Sequence, residues 1–207
     1  VQLAAAAFTS TPAALAGPQG FGPTHAGEAQ AGAFVGLGRD WRVVTVSPKF
    51  HACCHGLHAM REALGGVRLA PEAVDRVSVT THPRWLTVCN QPAPETGLGA
   101  KFSFRLAAAM ALAGRDTGAL DTFSDAACRD PLLVRLRDRV AVVADAALPE
   151  TASVVHVDAA GRAHRLSHDL ADVLPLETRT AKIREKARAL LGEIGRASCR
   201  ESGGWGG

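Results

Sequence analysis

An α+β fold is what this sequence predicts, and three observations carry it. Segments with the two-residue alternation of a strand are interspersed with segments of helical period, without a regular strand–helix–strand repeat. Val154 to Val157 and Ala163 to Leu166 flank Asp158-Ala-Ala-Gly161, which reads as an antiparallel hairpin. The chain also lacks a glycine-rich phosphate fingerprint and any internal repeat, so a doubly wound sheet is disfavoured.

In chain order, Val1 to Phe8 reads as the end of an Ala-rich helix, followed by turns at Thr11-Pro12 and Gly17-Pro18-Gln19-Gly20. A short helix is expected over Glu28 to Val35, stopped by Gly36 and Gly38, and Trp41 to Val46 alternates like a strand. Pro48 precedes a helix expected from about Ala52 to Leu64, which Gly65-Gly66 would end. Val74 to Thr81 (VDRVSVTT) alternates apolar and polar residues, the mark of a strand. Asn90 to Gly99 is a Pro/Gly loop, and Lys101 to Ala113 is apolar enough for a buried core helix. Pro131 to Arg137 suggests a short helix and Val140 to Val143 a strand; Thr178 to Leu191 is a charged helix. From Glu193 the pattern changes abruptly. EIGRASCRE followed by Gly-rich sequence resembles a translated sequencing-library adapter, so 193–207, with Cys199 and Trp205, is expected to be a scar.

Composition narrows the function classes. With 47% apolar residues a core can form without metals or disulfides. The net charge of +3 comes from scattered basic residues, with no Lys/Arg block of the kind that binds nucleic acid or an anionic membrane. Five irregularly spaced cysteines, two of them adjacent, argue against a secreted disulfide framework and for a reducing cytoplasm. No apolar run approaches the roughly 18–20 residues a membrane-spanning helix needs. The opening VQLAAAAFTSTPAALAG lacks the basic start of a signal peptide and reads as a truncated helix, as if the chain began inside a longer protein.

The densest chemistry lies in Lys49-Phe-His-Ala-Cys-Cys-His-Gly-Leu-His58. On a helix starting near Ala52, Cys54 and His58 would share a face, and His51, His55 and His58 would follow at i, i+4 and i+7. Lys49 would sit before the first turn, where orphan N–H groups favour anions. Such a lysine could hold a carboxylate while an imidazole, with an ordinary pKa near 6.5, moves a proton on the neighbouring carbon. Charge developing on the carboxylate would be stabilised by the lysine. A second reading is a metal-binding module on His51, Cys53, Cys54, His55 and His58, although H-x-C-C-H-x-x-H matches no standard zinc spacing. A third takes the stretch as a helix start with packed thiols and surface histidines. Outside it, Lys101 is a candidate second carboxylate contact. Cys89 and Cys128 read as packing thiols, and His82, His156, His164 and His168 as structural.

Four stretches resemble the carboxy-terminal half of the MmgE/PrpD family. Gly17-Pro-Gln-Gly-Phe21 is similar to the family's Gly-Pro-x-Gly-Phe loop. Lys49 to His58 is similar to its K-P-Y-P-x-C-(R/H)-x-T-H signature, and Lys101-Phe-Ser with the Ala-rich run after it to K-F-S-L-P-Y-A-V-A. Asp130-Pro131 and the following strand resemble a segment leading into the hairpin. The resemblance implies a large helical domain and a smaller α+β lid, with the active site between them, in a homodimer. It also implies small di- and tricarboxylate substrates and proton abstraction beside a carboxylate, without a metal, iron–sulfur cluster or other cofactor. By position, Lys49 would be the carboxylate-binding lysine and His58 the signature's terminal histidine. Cys54 falls where the decarboxylases of the family have histidine and many other members have cysteine.

On this resemblance 1–47 would end the helical domain, 48–176 would be the lid, and 177–192 would return toward the helical domain. The expected catalytic residues are Lys49, Cys54 and His58, with His55 and Lys101 binding substrate. The expected partners are a small polycarboxylate and a second copy, with no nucleic acid and no membrane. Phe50 and His51 depart from the signature's Pro-Tyr, and Leu106 stands where a tyrosine is frequent. The chain contains no tyrosine, so no phenol of its own can serve as an acid. Together with Cys54 this argues against a cis-aconitate decarboxylase and for 2-methylcitrate dehydratase-like or isomerase chemistry. With the helical domain missing, the fragment alone would be inactive.

Overall fold

The structure, a computed structural model, describes residues 5–7, 9, 11–18, 20–25, 32, 35–41 and 46–201. The chain divides into two compact units, Val1–Val46 and Ser47–Gly207. In the first, a single turn of helix α1 (Phe21–His25) follows Gly20, whose carbonyl accepts from Thr24 Oγ1 at 2.7 Å. The His25 ring stacks on Phe21, with 4.5 Å between centroids. Gly36 and Gly38 both adopt positive φ, as expected of chain-reversing glycines. The helix end read over Val1 to Phe8, the helix over Glu28 to Val35 and the strand over Trp41 to Val46 fall mainly outside the described residues.

The second unit has the predicted α+β architecture. After a 3-10 turn (His55–Leu57) come helix α2 (His58–Gly65) and strand β1 (Val74–Thr81). Four helices follow: α3 (Arg84–Val88), α4 (Gly97–Ala100), α5 (Phe104–Leu112) and α6 (Asp125–Arg129). Helix α7 (Pro131–Arg137) and strand β2 (Val140–Ala144) lead to the hairpin of β3 (Ala152–Ala159) and β4 (Arg162–Asp169). Helix α8 (Leu176–Glu201) ends the described chain and continues without a break through Glu193, where the composition changes. No helix among the described residues is long and apolar enough to cross a membrane.

The four strands form one mixed sheet in the order β2-β1-β3-β4. β1 pairs parallel with β2 and antiparallel with β3, which pairs antiparallel with β4. A register shift between Val74 and Arg76 explains how Val74 and Val77, three residues apart, both face the core. An extra residue in one strand resets the two-residue alternation. Helix α2 covers β3 and β4, and α5 packs between α2 and α7 and over β2. Leu57, Met60, Phe104, Leu106, Met110, Leu133 and Leu136 meet Val77, Val79, Val155 and Val157 in the resulting core. Ala107, Ala108 and Ala109 are fully buried, and their small size lets α5 approach its neighbours closely.

Capping side chains set boundaries that apolar periodicity alone misplaces. The helix expected from Lys101 starts at Phe104, because Ser103 is extended (φ −118°, ψ 109°) and its Oγ accepts from Leu106 N at 3.2 Å. The same hydroxyl donates to the Gln91 carbonyl at 2.6 Å and ties the Pro/Gly loop to the helix start. Asp130 caps α7 with Pro131 in its first turn, accepting from Leu132 N at 2.9 Å. The short helices α3 and α6 escaped the sequence pattern because each spans five residues, too few for a 3.6-residue period to register.

The predicted hairpin forms with a tighter loop than its four-residue signal suggested. Ala159 pairs with Arg162, leaving Ala160 and Gly161 as the loop, at φ 50° and 72°. Positive φ at both positions is the type I′ geometry that matches the twist of the strands. Glycine tolerates it, and alanine does so at a cost from its Cβ. Ala160→Asn should therefore raise stability by roughly 0.5–1 kcal/mol, since asparagine accepts the left-handed region more readily. Urea unfolding of the variant checks this, and an unchanged or lower midpoint would refute it.

Candidate active site

Residues 49–58 do not form the continuous helix that their spacing suggested. Cys54 is extended (φ −58°, ψ 142°), the 3-10 turn begins at His55, and the α-helix starts only at His58. Two backbone bonds across the fold hold the segment extended: Ala52 N–H to the Thr117 carbonyl at 2.7 Å, and Cys54 N–H to the Lys101 carbonyl at 2.9 Å. At Gly56 any Cβ would run into the Trp85 ring and lie 3.1 Å from Cys89 Sγ. Only glycine lets the turn seat against that ring.

The three imidazoles nonetheless meet around His58. Its centroid lies 5.2 Å from those of both His51 and His55. His58 has no exposed surface. Its Nδ1 is 3.1 Å from the Cys54 carbonyl, and its Nε2 is 3.3 Å from the His51 backbone N–H. A carbonyl can only accept and an amide N–H can only donate, so His58 is the neutral tautomer with its proton on Nδ1. Burial, the His51 ring, and the nearby His55 and Lys49 lower its pKa to about 3, against the opposing Cys54 hydrogen bond. Cys54 and His58 are thus joined through the cysteine's carbonyl, and both nitrogens of His58 are spent on the backbone.

A second chain of polar contacts runs behind the segment. Arg61 Nε donates to Thr117 Oγ1 at 3.1 Å, so the hydroxyl turns its own proton to His51 Nδ1 at 2.8 Å. His51 Nε2–H then donates to Glu62 Oε1 at 3.1 Å, and Lys182 Nζ donates to the other Glu62 oxygen. Lys186 Nζ closes on the His51 carbonyl at 2.8 Å. Burial lowers the His51 pKa despite its bond to Glu62, so His51 is a neutral donor and Lys182 is the ionic partner. Burial pushes Glu62 upward, but the hydrogen bonds and charges of His51 and Lys182 outweigh it and bring its carboxyl to about 2. Sequence reasoning missed Arg61, Glu62, Thr117, Lys182 and Lys186. Their only local signal was an Arg-Glu pair inside the apolar pattern of α2.

The remaining residues of the segment divide between surface and core. Lys49 is exposed, while Cys54 and His55 are half-buried. Burial and the charge of Lys49 lower the His55 pKa, which keeps that imidazole neutral near pH 7. Burial, and then the neighbouring Cys54 thiol, raise the pKa of buried Cys89. Burial raises Cys53 to about 12, which makes it an inert packing thiol. Lys101 adjoins Cys54 through its carbonyl rather than its ammonium. Cys128, fully packed, sits beneath the start of α4, 3.4 Å from the Thr96 carbonyl. Among the described residues no three His, Cys, Asp or Glu side chains converge as metal ligands. His58 also has no nitrogen left to ligate, so the metal-module reading lacks support.

A family model described as the MmgE/PrpD C-terminal domain matches residues 50–202. No curated protein matches the chain.

The buried histidines make stability depend on pH in a definite direction. Unfolded histidine titrates near 6.5, whereas folded His58 titrates at about 3, so the unfolded state binds more protons in between. The contribution is complete above pH 6.5 and is lost as pH falls toward 3; the lowered values of His51 and His55 act in the same direction. Between pH 7 and pH 5, His58 alone should cost about 2 kcal/mol of stability. Denaturant unfolding at the two pH values should show this, with a flatter dependence in His58→Gln. An equal slope in the variant would remove His58 as the source.

Proposed function

Because the chain belongs to the MmgE/PrpD family through its C-terminal domain, we propose that it builds one wall of a site that deprotonates a small di- or tricarboxylate next to a carboxylate. The enzyme type is a lyase or isomerase, 2-methylcitrate dehydratase-like, with the opposite wall supplied by a helical domain and the active form a homodimer. The observation that carries the reading is an exposed lysine, Lys49, near enough for its charge to help keep the half-buried imidazole of His55 neutral. An exposed ammonium can meet a substrate carboxylate, and an imidazole kept neutral can take a proton from the adjacent carbon. As the proton leaves, negative charge grows on the bound carboxylate, and Lys49 stabilises it where it grows.

The other residues take graded roles in this proposal. Cys54 lies beside His55 at the mouth of the turn and is the nearest further group to the proton chemistry. Lys101, just after α4, holds the Cys54 N–H on its carbonyl, and its ammonium offers a second carboxylate contact. His58 is a positioning residue: its proton on Nδ1 is committed to Cys54 and its lone pair to His51, so it fixes the turn that presents His55. In a dehydratase the departing hydroxyl needs a proton, and this chain has no phenol to give it. That acid is assigned to Cys54 or to the opposite wall.

The test is turnover of 2-methylcitrate and cis-aconitate by protein carrying this domain together with the family's helical domain. Lys49→Ala should lower kcat/KM by about 100-fold, the scale of losing one electrostatic stabiliser of developing charge. The acid limb of the kcat/KM profile should lie below pH 6.5, because burial and Lys49 both lower His55. Unchanged turnover in Lys49→Ala would overturn the proposal, and an acid limb above pH 6.5 would remove His55 as the base.

A further inference from the structure

Behind the Lys49 turn lies a cleft of about 490 Å³ between α2, the loop after α5, and α8. Its lining includes Phe50 and His51 but not Lys49, Cys54, His55 or Lys101, so it is separate from the face proposed for catalysis. Five basic side chains line it: Arg61, Arg68, Arg115, Lys182 and Lys186. Three carboxylates, Glu62, Asp116 and Glu185, oppose them, which leaves a surplus of two positive charges while His51 is neutral.

The arrangement within the cleft matters more than the count. Glu62 is already saturated by His51 and Lys182, and Asp116 Oδ1 accepts from the Gly118 amide at 2.8 Å. Arg115 has its own partner in Asp130 at 2.8 Å. Arg68 and Lys186 have no carboxylate within ion-pair distance among the described residues. Arg61 is 7% exposed, its Nε is held by Thr117, and its buried Nη1 has no hydrogen-bond partner. A buried guanidinium donor left unpaired is costly, and a planar guanidinium suits the paired oxygens of a carboxylate or phosphate. A volume of this size lies within the range of small-ligand sites and exceeds the needs of a lone water.

We infer that this cleft binds a small dianionic oxyanion, a dicarboxylate or a phosphate, with Arg61 as its buried contact and Lys186 closing over it from α8. Bound there, the ligand would bridge α2 to α8 and hold the terminal helix against the back of the Lys49 turn. The site does not depend on the catalytic reading of that turn.

The experiment is isothermal titration and thermal unfolding of the full chain with succinate, with inorganic phosphate, and with acetate or KCl at matched ionic strength. At least one of the two dianions should bind saturably and raise the unfolding midpoint, while acetate and KCl should not; comparing succinate with phosphate identifies which oxyanion the site takes. Arg61→Gln and Lys186→Gln should each weaken binding at least tenfold, and Lys49→Ala should leave it within twofold. Should Arg61→Gln fail to fold, the half-buried Lys186 carries the comparison. Midpoint shifts no larger than those of matched KCl, or dianion binding unchanged in Lys186→Gln, would overturn the inference. Loss of dianion binding in Lys49→Ala would do the same, by merging the cleft with the catalytic face.

Discussion

A neutral imidazole with no exposed surface is what fixes the histidine-rich turn of this domain. His58 begins α2 and reaches back to bond the backbone at His51 and at Cys54, the two sides of the extended segment before it. Such a group binds one donor and one acceptor only while it is uncharged. Protonation would set an N–H against the His51 amide, with no acceptor to receive it. The surroundings keep it uncharged by denying it water and placing other potential cations nearby. The same burial that keeps the residue uncharged makes it an effective brace.

The polar chain behind it shows a related economy of roles. Arg61 can only donate and ionised Glu62 can only accept, so every proton between them, through Thr117 and His51, has one allowed position. Directional networks of this kind rigidify when every member is satisfied, and the buried atom of this network that lacks a partner, Arg61 Nη1, stands out for that reason. The backbone of His51 belongs to the brace and its ring to the network, so the two systems are joined at a single residue. A change at Thr117 would therefore be felt at the turn carrying His55.

Much of the fold was legible in the sequence because its signals are local. The alternation of Val74 to Thr81 and the hairpin signal from Val154 to Leu166 are each contiguous in the chain, and Asp130-Pro131 announces its helix directly. The helix starts were misplaced where a cap or a distant backbone bond overrides apolar periodicity, as at Ser103 and at Ala52 and Cys54. The site was legible as a cluster of residue types but not as a geometry. The histidines were expected at helical spacing and instead converge through an extended segment and a 3-10 turn. Arg61–Thr117 and Glu62–Lys182, 56 and 120 residues apart, leave no trace in any local pattern.

Those separations bear on how the domain comes together. The β3–β4 hairpin closes over two residues, whereas β1 and β2 can pair in parallel only after everything from 82 to 139 has been gathered in. The contacts behind the Lys49 turn reach further still, up to the 135 residues between His51 and Lys186. Because loop-closure entropy must be met before distant contacts return anything, such contacts form late on the folding path and open early. The turn proposed to carry the chemistry is then a late-maturing region resting on an early-forming sheet. Its amides should exchange with solvent before those of β1 and β3, and slower exchange there than in the sheet would contradict that order.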